Sequence, residues 1–261
     1  MHRIAFAMSK GGTGKTSLSS SVAVELGQMG HRVLFIDLDG QMSSTDLLGY
    51  DIETPQNYLL DGMLGVLNAN EIVQETKYKN LSLIPASLHL YSAENILAGE
   101  IANDSLLSTL VDEYEGQYDY LIIDNPPSIN LINWNSLIAC RQVVIPCEAS
   151  HNSLLSMRHL LHAMTTLETR RNIEINNLGI ICTRYDSRTK NSRNALDVLS
   201  KSFPDLMFSS VFSESVKIKD SQSNKTPITL AYPKSKSALE IQSIANEIVA
   251  RVEKKGLKNV A

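Results

Sequence analysis

The sequence predicts an α/β fold, a doubly wound and mostly parallel sheet with helices on both faces. Apolar runs of strand length alternate with helix-length segments along the chain. These runs are nearly continuous in hydrophobicity, which is typical of parallel strands that helices cover on both faces. The two observations together indicate the doubly wound arrangement. The predicted strands span residues 4–8, 33–37, 81–85, 120–124, 142–146 and 178–182.

Three helices are predicted between and after these strands. Residues 16–29 form the first, because Gly30 follows it and glycine is the usual residue just past a helix end. Residues 152–167 and 237–252 have apolar positions three and four apart, the spacing of one helix face. Residues 186–234 break this periodicity, so we expect them at the surface. Because the sequence has no repeat and no linker, residues 1–261 are expected to form a single domain.

The composition is that of an ordinary globular protein, since 43% of the 261 residues are hydrophobic and 20% are charged. This hydrophobic content excludes a disordered or fibrous chain. No apolar stretch reaches the roughly 18 residues of a membrane helix and no signal peptide is recognisable, so a cytoplasmic protein is expected. The three cysteines form no CxxC pair, which predicts buried thiols at Cys140, Cys147 and Cys182.

The charge is distributed unevenly along the chain. Residues 1–150 hold 7 Lys and Arg against 18 Asp and Glu, whereas residues 151–261 hold 17 against 10. Such an asymmetry indicates that one face meets a polyanion, although the net charge of the whole chain is -4. The alternative is a solvated charged surface without a partner.

A phosphate-binding loop follows the first predicted strand, with the sequence SKGGTGKT from Ser9 to Thr16. Glycines let successive backbone N–H groups turn toward an anion, and the helix that follows points its positive end at it. Lys15 can reach the β- and γ-phosphates, and the Thr16 hydroxyl can bind Mg²⁺. The strict motif has glycine where Ser9 stands. The nucleotide-binding candidates of the loop are Gly11, Gly12, Thr13, Gly14, Lys15, Thr16 and Ser17.

Two later strands end in aspartates. Asp37 and Asp39 close the second predicted strand, and Asp124 closes the fourth. Residues at i and i+2 of a strand point to the same side, and strand carboxyl ends face the ligand crevice of such a sheet. One carboxylate can hold Mg²⁺, commonly through water, and another can position the attacking water. The metal-binding candidates are therefore Thr16, Asp37 and Asp124.

Three motifs of this sequence resemble those of a known protein family. The loop KGGTGKT, which begins at Lys10, resembles the deviant Walker A loop of the ParA/MinD ATPases. The segment DLDGQ from Asp37 resembles that family's DxDPQ, with Gly40 in place of its proline, and DNPPS from Asp124 resembles its DxPPS. The late segment YPKSKSA, from Tyr232, is also similar. The likeness covers nearly the whole chain and implies a P-loop NTPase fold.

The resemblance implies an ATPase that uses ATP and Mg²⁺ and forms a homodimer when ATP is bound. Lys10 is the signature lysine that reaches the phosphates of the other subunit, Lys15 binds those of its own, and Asp39 orients water. The roles of Asp37 and Asp39 could be exchanged. The alternative for Lys10 is a solvated lysine beside a conventional phosphate-binding loop. Hydrolysis is expected to be weak and stimulated by an adaptor protein. Pro233 is the candidate neighbour of the base.

ParA-like dimers bind DNA without sequence preference. The resemblance therefore implies that the basic second half of the chain binds DNA. Such binding needs Lys and Arg on one surface and weakens steeply with salt. No separate N-terminal DNA-binding domain is expected, and the protein is expected to associate with the nucleoid. The candidate DNA contacts are Arg184, Arg188, Lys190, Arg193, Lys217, Lys219 and Lys225.

Several functions share these motifs. Plasmid or chromosome partition is the leading interpretation, and the alternative is positioning of a protein assembly such as a carboxysome or chemosensory cluster. A MinD-type membrane ATPase is less favoured, because residues 248–258 have little apolar depth after Val252. No membrane partner is therefore expected. An ATPase that delivers metal clusters would need a shared cysteine pair, which Cys140 and Cys147 do not resemble, and no phosphoryl-acceptor site of a kinase is recognisable.

Overall fold

The computed structural model describes residues 1–52, 58–148 and 150–258, and eight strands within them form one sheet. In chain order the strands are β1 (His2–Phe6), β2 (Val33–Asp37), β3 (Gln74–Glu75), β4 (Leu81–Ile84), β5 (Tyr120–Asp124), β6 (Gln142–Glu148), β7 (Asn176–Tyr185) and β8 (Phe212–Ser213). Their order across the sheet is β3-β4-β2-β5-β1-β6-β7-β8. All neighbouring pairs are parallel except β3 and β4, which are antiparallel. The predicted doubly wound, mostly parallel α/β sheet is confirmed.

Twelve α-helices lie within the described residues, together with the 3₁₀ helix Leu88–Ser92. The helices that precede β5 are α1 (Lys15–Gln28), α2 (Ser43–Leu47), α3 (Tyr58–Met63), α4 (Ala69–Ile72), α5 (Ala93–Leu97) and α6 (Leu106–Asp112). Those that follow it are α7 (Leu131–Cys140), α8 (His151–Arg171), α9 (Lys190–Ser202), α10 (Val216–Ser223), α11 (Ile228–Ala231) and α12 (Lys236–Lys258). None of the described helices is long and apolar enough to span a membrane.

Helices bury both faces of the sheet, which explains the continuous apolar strands. On one face, Leu18 and Val22 of α1 and Ile244 of α12 belong to a buried cluster that includes side chains of β1 and β2. On the other face, Leu110 of α6 and Ile132 of α7 belong to a second cluster with other side chains of the same strands. Residues at successive positions of a strand point to opposite faces, so both sets must be apolar.

The central strands bring the three sequence motifs together at the carboxyl edge of the sheet. Asp124 of β5 is in register with Phe6 of β1 on one side and with Asp37 of β2 on the other. The phosphate-loop candidate follows β1, Asp124 ends the adjacent strand β5, and Asp37 ends β2 on the far side of β5. Parallel pairing therefore brings three segments that are far apart in the chain to one edge.

Most of region 186–234 is exposed or partly exposed, as predicted, but the region also holds regular elements that the sequence did not predict. It contains α9, α10, α11 and strand β8, which extends the sheet beyond β7. Apart from α9, which has 13 residues, these elements have two to eight residues and show too few periodic positions to be recognised from sequence. Strand β1 ends at Phe6, where its ladder with β5 also ends, and not at residue 8 as predicted.

The predicted buried thiols are confirmed. Cys140, Cys147 and Cys182 are all free and buried. Burial raises the pKa of Cys147 and of Cys182 to about 12. These thiols therefore pack as small apolar side chains and are protonated at neutral pH.

Helix α1 approaches the loop before β4 so closely that Gly27 has no room for a side chain. A Cβ at Gly27 would overlap the carbonyl oxygen of Lys79. We expect Gly27→Ala to lower the free energy of unfolding by about 1–3 kcal/mol, since overpacking outweighs the better helix propensity of alanine. Gly99→Ala is the matched control, because nothing lies within 4 Å of its added Cβ. Urea unfolding of both variants checks this, and equal midpoints would contradict it.

Candidate nucleotide site

The loop between β1 and α1 has the backbone that its glycines predict. Gly12 and Gly14 adopt φ angles of 73° and 79°, a region that disfavours residues with a Cβ. Gly14 is also the N-cap of α1. The first N–H groups of the helix have no partner inside it and open onto the loop. Loop and helix together can cradle phosphate oxygens.

Side chains of the loop meet the end of β5. Lys15, the first residue of α1, is buried, and its positive charge partly offsets the rise that burial causes in the pKa of Asp124. The Thr16 side chain is hydrogen-bonded to the same carboxylate. Thr13 is buried, and within the described part of the chain its hydroxyl has no hydrogen-bond partner. Buried hydroxyls are normally paired. The loop therefore offers donors that fit the oxygens of a phosphate.

Two carboxylates lie buried side by side at the centre of the site. Asp37 and Asp124 are register partners at the ends of β2 and β5, and each side chain is fully buried. Burial raises the pKa of both carboxyl groups, and the charge of Asp124 raises the pKa of Asp37 further. Two like charges that are both buried away from water repel each other strongly, so a proton or a cation between them is favoured. The pair therefore requires hydrogen-bond donors or a cation beside it.

The two carboxylates differ in their available oxygens. Asp37 Oδ1 accepts a hydrogen bond from Asp39 N–H at 3.0 Å, and Oδ2 accepts from the Thr45 N–H and hydroxyl at 2.9 and 2.8 Å. Asp124 Oδ2 accepts from the Ser44 hydroxyl at 2.6 Å. Asp124 Oδ1 is buried and has no partner among the described residues. Asp124 thus has a free oxygen that fits a Mg²⁺-bound water, whereas Asp37 holds the start of α2.

The structure contains no group of three or more His, Cys, Asp or Glu side chains arranged for a metal within residues 1–52, 58–148 and 150–258. Magnesium in such a site takes much of its coordination from waters and phosphates, with one or two protein ligands. Thr16 and Asp124 fit that requirement.

Asp39 lies beyond the end of β2, so the strand alternation that predicted a common side with Asp37 does not extend to it. Its side chain is half-buried, and its Oδ1 accepts a hydrogen bond from Gln41 N–H at 3.0 Å. Asp37 is fully buried, whereas Asp39 is partly exposed. The two aspartates of this segment are therefore not equivalent.

Lys10 is turned back into its own subunit. Its ammonium group forms an ion pair with Glu148 at the end of β6 and lies 3.0 Å from Ser150 Oγ and 3.3 Å from Ser153 Oγ. The Lys10 side chain is 27% exposed. Lys10 is thus held by three side chains, and the alternative of a freely solvated lysine does not describe this conformation.

A cleft of about 250 Å³ opens beside the loop and extends toward α10. Arg184 donates a hydrogen bond to the Gly12 carbonyl oxygen at 2.9 Å, and Gln222 donates to Ser17 Oγ at 2.7 Å. Pro233 is exposed and does not line this cleft. The cleft is lined by Gly12, Gly14, Ser17, Arg184, Phe212, Ser213, Glu214, Ser215, Ile218, Lys219 and Gln222.

The residues predicted to contact DNA fall into different settings. Arg184 and Lys219 are exposed and also line the cleft beside the loop, close to the nucleotide candidates. Lys225 forms an ion pair with Asp46 of α2 at 2.7 Å. The remaining candidates are also exposed and lie just before or at the start of α9 and on α10: Arg188, Lys190, Arg193 and Lys217.

Sequence reasoning missed several residues of the site. The Ser44 hydroxyl binds Asp124, and only its position shortly after the aspartate-rich strand end is a local signal. Glu148 and Gln222 carry no local signal, because they reach Lys10 and Ser17 from 138 and 205 residues away.

Comparisons with known proteins agree with this geometry. Residues 1–177 match a family model described as an AAA domain. The sporulation initiation inhibitor protein Soj of Bacillus subtilis (strain 168) is 30% identical over 247 residues, which cover 95% of this chain and 98% of Soj.

Two solved structures are similar over nearly their whole length. A variant of McdA from Cyanothece in complex with ATP has a TM-score of 0.85 at 26% identity and covers 96% of both chains. Cobyrinic acid a,c-diamide synthase from Mycobacterium smegmatis, with bound ADP and magnesium, has a TM-score of 0.84 at 26% identity and covers 98% of this chain and 96% of its own. Soj, McdA and the matching family model all agree with the resemblance that the motifs indicate. The chain belongs to the ParA/MinD family of P-loop ATPases.

Proposed function

We propose that this protein binds and hydrolyses ATP with Mg²⁺, dimerises in the ATP state, and in that state binds DNA without sequence preference to position a cargo. The observation that carries the proposal is the meeting of Lys15 and Thr16 with Asp124, whose second oxygen is buried and unpartnered. Phosphate, magnesium and water are the groups that such a set of side chains accepts.

In this mechanism each side chain has a separate task. Lys15 binds the β- and γ-phosphates, and the loop amides bind the phosphate oxygens. Thr16 and Asp124 hold Mg²⁺, which neutralises charge on the phosphates when it is bound. Asp39 orients the attacking water, because Asp37 has both oxygens engaged by Asp39 N–H and by Thr45. This assigns the two aspartates of the DLDGQ segment to different roles.

Dimerisation requires Lys10 to leave its own subunit. The ion pair with Glu148 and the contacts with Ser150 and Ser153 must break before Lys10 reaches the phosphates of a second chain. A cation delivered in this way stabilises charge that develops on the transferring phosphoryl group. Hydrolysis by a single chain is therefore slow, and a partner that favours the released conformation accelerates it. An adaptor protein that binds the dimer fits this requirement.

Two contacts connect the nucleotide site to the basic half of the chain. Asp46 follows Thr45 on α2 and pairs with Lys225, while Ser17 of α1 accepts a hydrogen bond from Gln222 of α10. A nucleotide that moves α1 or α2 therefore also moves basic residues near α10. Dimerisation doubles any basic face, so two weak contacts with DNA become one effective site.

The remaining alternatives for the function differ in the cargo that the protein positions. Plasmid or chromosome partition is the leading function, with the protein in the cytoplasm and on the nucleoid. The same cycle positions a protein assembly if the adaptor recognises one, and genomic neighbours discriminate the two. Amide synthesis, for which the Mycobacterium smegmatis protein is named, is not proposed, because the residues that face the loop suit phosphate and water chemistry.

The experiment that tests the proposal measures binding to a random-sequence DNA duplex without nucleotide, with ADP and with ATP plus Mg²⁺, at two salt concentrations. We expect binding only with ATP, and a steep loss of affinity at the higher salt concentration. Binding in no state would refute the DNA-binding part, and liposomes of anionic lipid would then test the membrane alternative.

The two lysines of the loop are expected to behave differently. Lys15→Ala removes charge-assisted hydrogen bonds worth about 1.5–3 kcal/mol, so the affinity of the monomer for MgATP should fall at least about tenfold. Lys10→Ala is the matched control, because Lys10 contacts Glu148 in its own subunit, and its affinity should change less than about threefold. Calorimetric titration with a non-hydrolysable ATP analogue checks both, and tight binding by Lys15→Ala would contradict the loop assignment.

Asp39→Ala should bind ATP normally and remain dimeric, but hydrolyse it about a hundredfold more slowly, because the attacking water loses its orienting group. Turnover assays and light scattering with ATP measure the two properties. Asp220→Ala, at an exposed aspartate of α10, is the control and should match the wild type. A wild-type rate for Asp39→Ala would transfer the role to another residue.

Exposed basic residues at the start of α9 are expected to bind DNA phosphates. Lys190→Glu combined with Arg193→Glu should weaken ATP-dependent duplex binding at least about tenfold and lower its salt slope by about 2, while ATP binding stays intact. Lys201→Glu is the control, since Lys201 is exposed near the other end of the same helix, roughly 15 Å away. An unchanged slope for the double variant would place the DNA face elsewhere.

A further inference from the structure

Gly40, which stands where the resemblance expects a proline, is covered by an aromatic ring. A Cβ at Gly40 would lie 3.1 Å from Cδ2 and Cε2 of Tyr91 and 3.2 Å from its Cγ. Such contacts are tighter than ordinary van der Waals distances, so the ring approaches only because the side chain is absent. The φ angle of Gly40 is not positive. Glycine is thus needed here for space and not for backbone conformation.

Tyr91 also binds the residue that follows Gly40. It lies on the 3₁₀ helix Leu88–Ser92, and its hydroxyl oxygen accepts a hydrogen bond from the Gln41 side-chain amide. The ring and the hydroxyl together contact two successive residues of the turn that begins at Asp39. Tyr91 therefore connects the 3₁₀ helix to this turn.

The turn itself sets the direction of the Asp39 carboxylate. Gln41 N–H donates to Asp39 Oδ1 at 3.0 Å, and Met42 N–H donates to the Asp39 carbonyl oxygen at 2.8 Å. Asp39 N–H donates to Asp37 Oδ1 at 3.0 Å. A displacement of Gln41 would therefore turn the Asp39 side chain and alter the contact with Asp37.

Core packing does not account for the position of Tyr91. Its side chain is 59% exposed, although large aromatic side chains usually bury most of their surface. The edge that is covered lies on Gly40 and Gln41. Leu88, on the same 3₁₀ helix, is 54% exposed and makes neither of the two contacts with the turn that Tyr91 makes.

We infer that Tyr91 is a positioning residue for ATP hydrolysis, which holds the Asp39–Gln41 turn so that the Asp39 carboxylate faces the attacking water. The inference rests on the proposed ATPase function. A proline at position 40 would restrict the backbone directly. In this chain the ring of Tyr91, seated on a glycine, supplies the restraint from a different segment.

The test compares Tyr91→Ala, Tyr91→Phe and the control Leu88→Ala in the full chain. Hydrogen exchange without nucleotide should show that the Gln41 and Met42 amides exchange at least about fivefold faster in Tyr91→Ala. The same variant should lose about tenfold in kcat with KM for ATP changed less than twofold, since misorientation affects the reacting geometry and not binding. Tyr91→Phe keeps the ring on Gly40 and should lie between Tyr91→Ala and the wild type, and Leu88→Ala should match the wild type.

Two results would overturn the inference: amide exchange in Tyr91→Ala equal to that of the wild type, or faster exchange with unchanged kcat. Gly40→Ala provides an independent variant, because the added methyl group displaces the ring while the tyrosine remains; it should lower kcat in the same way. A wild-type chain that hydrolyses no ATP would refute the proposed function, whereas the exchange data would still decide whether Tyr91 holds the turn.

Discussion

The site is organised by two carboxylates that are buried together. Asp37 and Asp124 end neighbouring strands in register, away from water, and burial raises the pKa of each. Such a pair is unfavourable unless donors or cations surround it. Lys15, Thr16, Ser44 and Thr45 all supply positive charge or hydrogen bonds to it. The loop after β1 and the start of α2 are thereby held at the same edge of the sheet.

That arrangement makes the short helix α2 responsive to the state of the site. Ser44 and Thr45 bind the two carboxylates, and the next residue, Asp46, pairs with Lys225. A cation beside Asp124 Oδ1 would share this carboxylate with the Ser44 hydroxyl, which binds Oδ2, so its binding would act on α2. Because packed elements move as units, a shift of α2 reaches the basic segment that follows α10. Chemistry at the strand ends and the charged surface are in this way parts of one connected structure.

The two lysines of the loop lie in different environments, which fits the proposal that one motif serves two subunits. Lys15 is buried next to Asp124, whereas Lys10 is half-buried and engaged by Glu148, Ser150 and Ser153. A lysine ammonium group forms three hydrogen bonds on a flexible stem, so it can exchange one set of partners for another. A single chain therefore keeps one of its two loop cations away from the phosphates. This incompleteness explains why assembly and hydrolysis are coupled in the proposed cycle.

The sheet class, the central strands and the loop could all be predicted from the amino-acid sequence. Strands 33–37 and 120–124 match their predicted bounds, because residues covered on both faces must all be apolar. The glycines and Lys15 were recognisable because phosphate binding imposes a local pattern. Only the tertiary structure decided the partners of Lys10, the cleft beside Phe212, and the ring of Tyr91 on Gly40. Those contacts join segments that are roughly 50 to 200 residues apart in the chain. They depend on how the helices pack on the sheet, which a local sequence pattern does not predict.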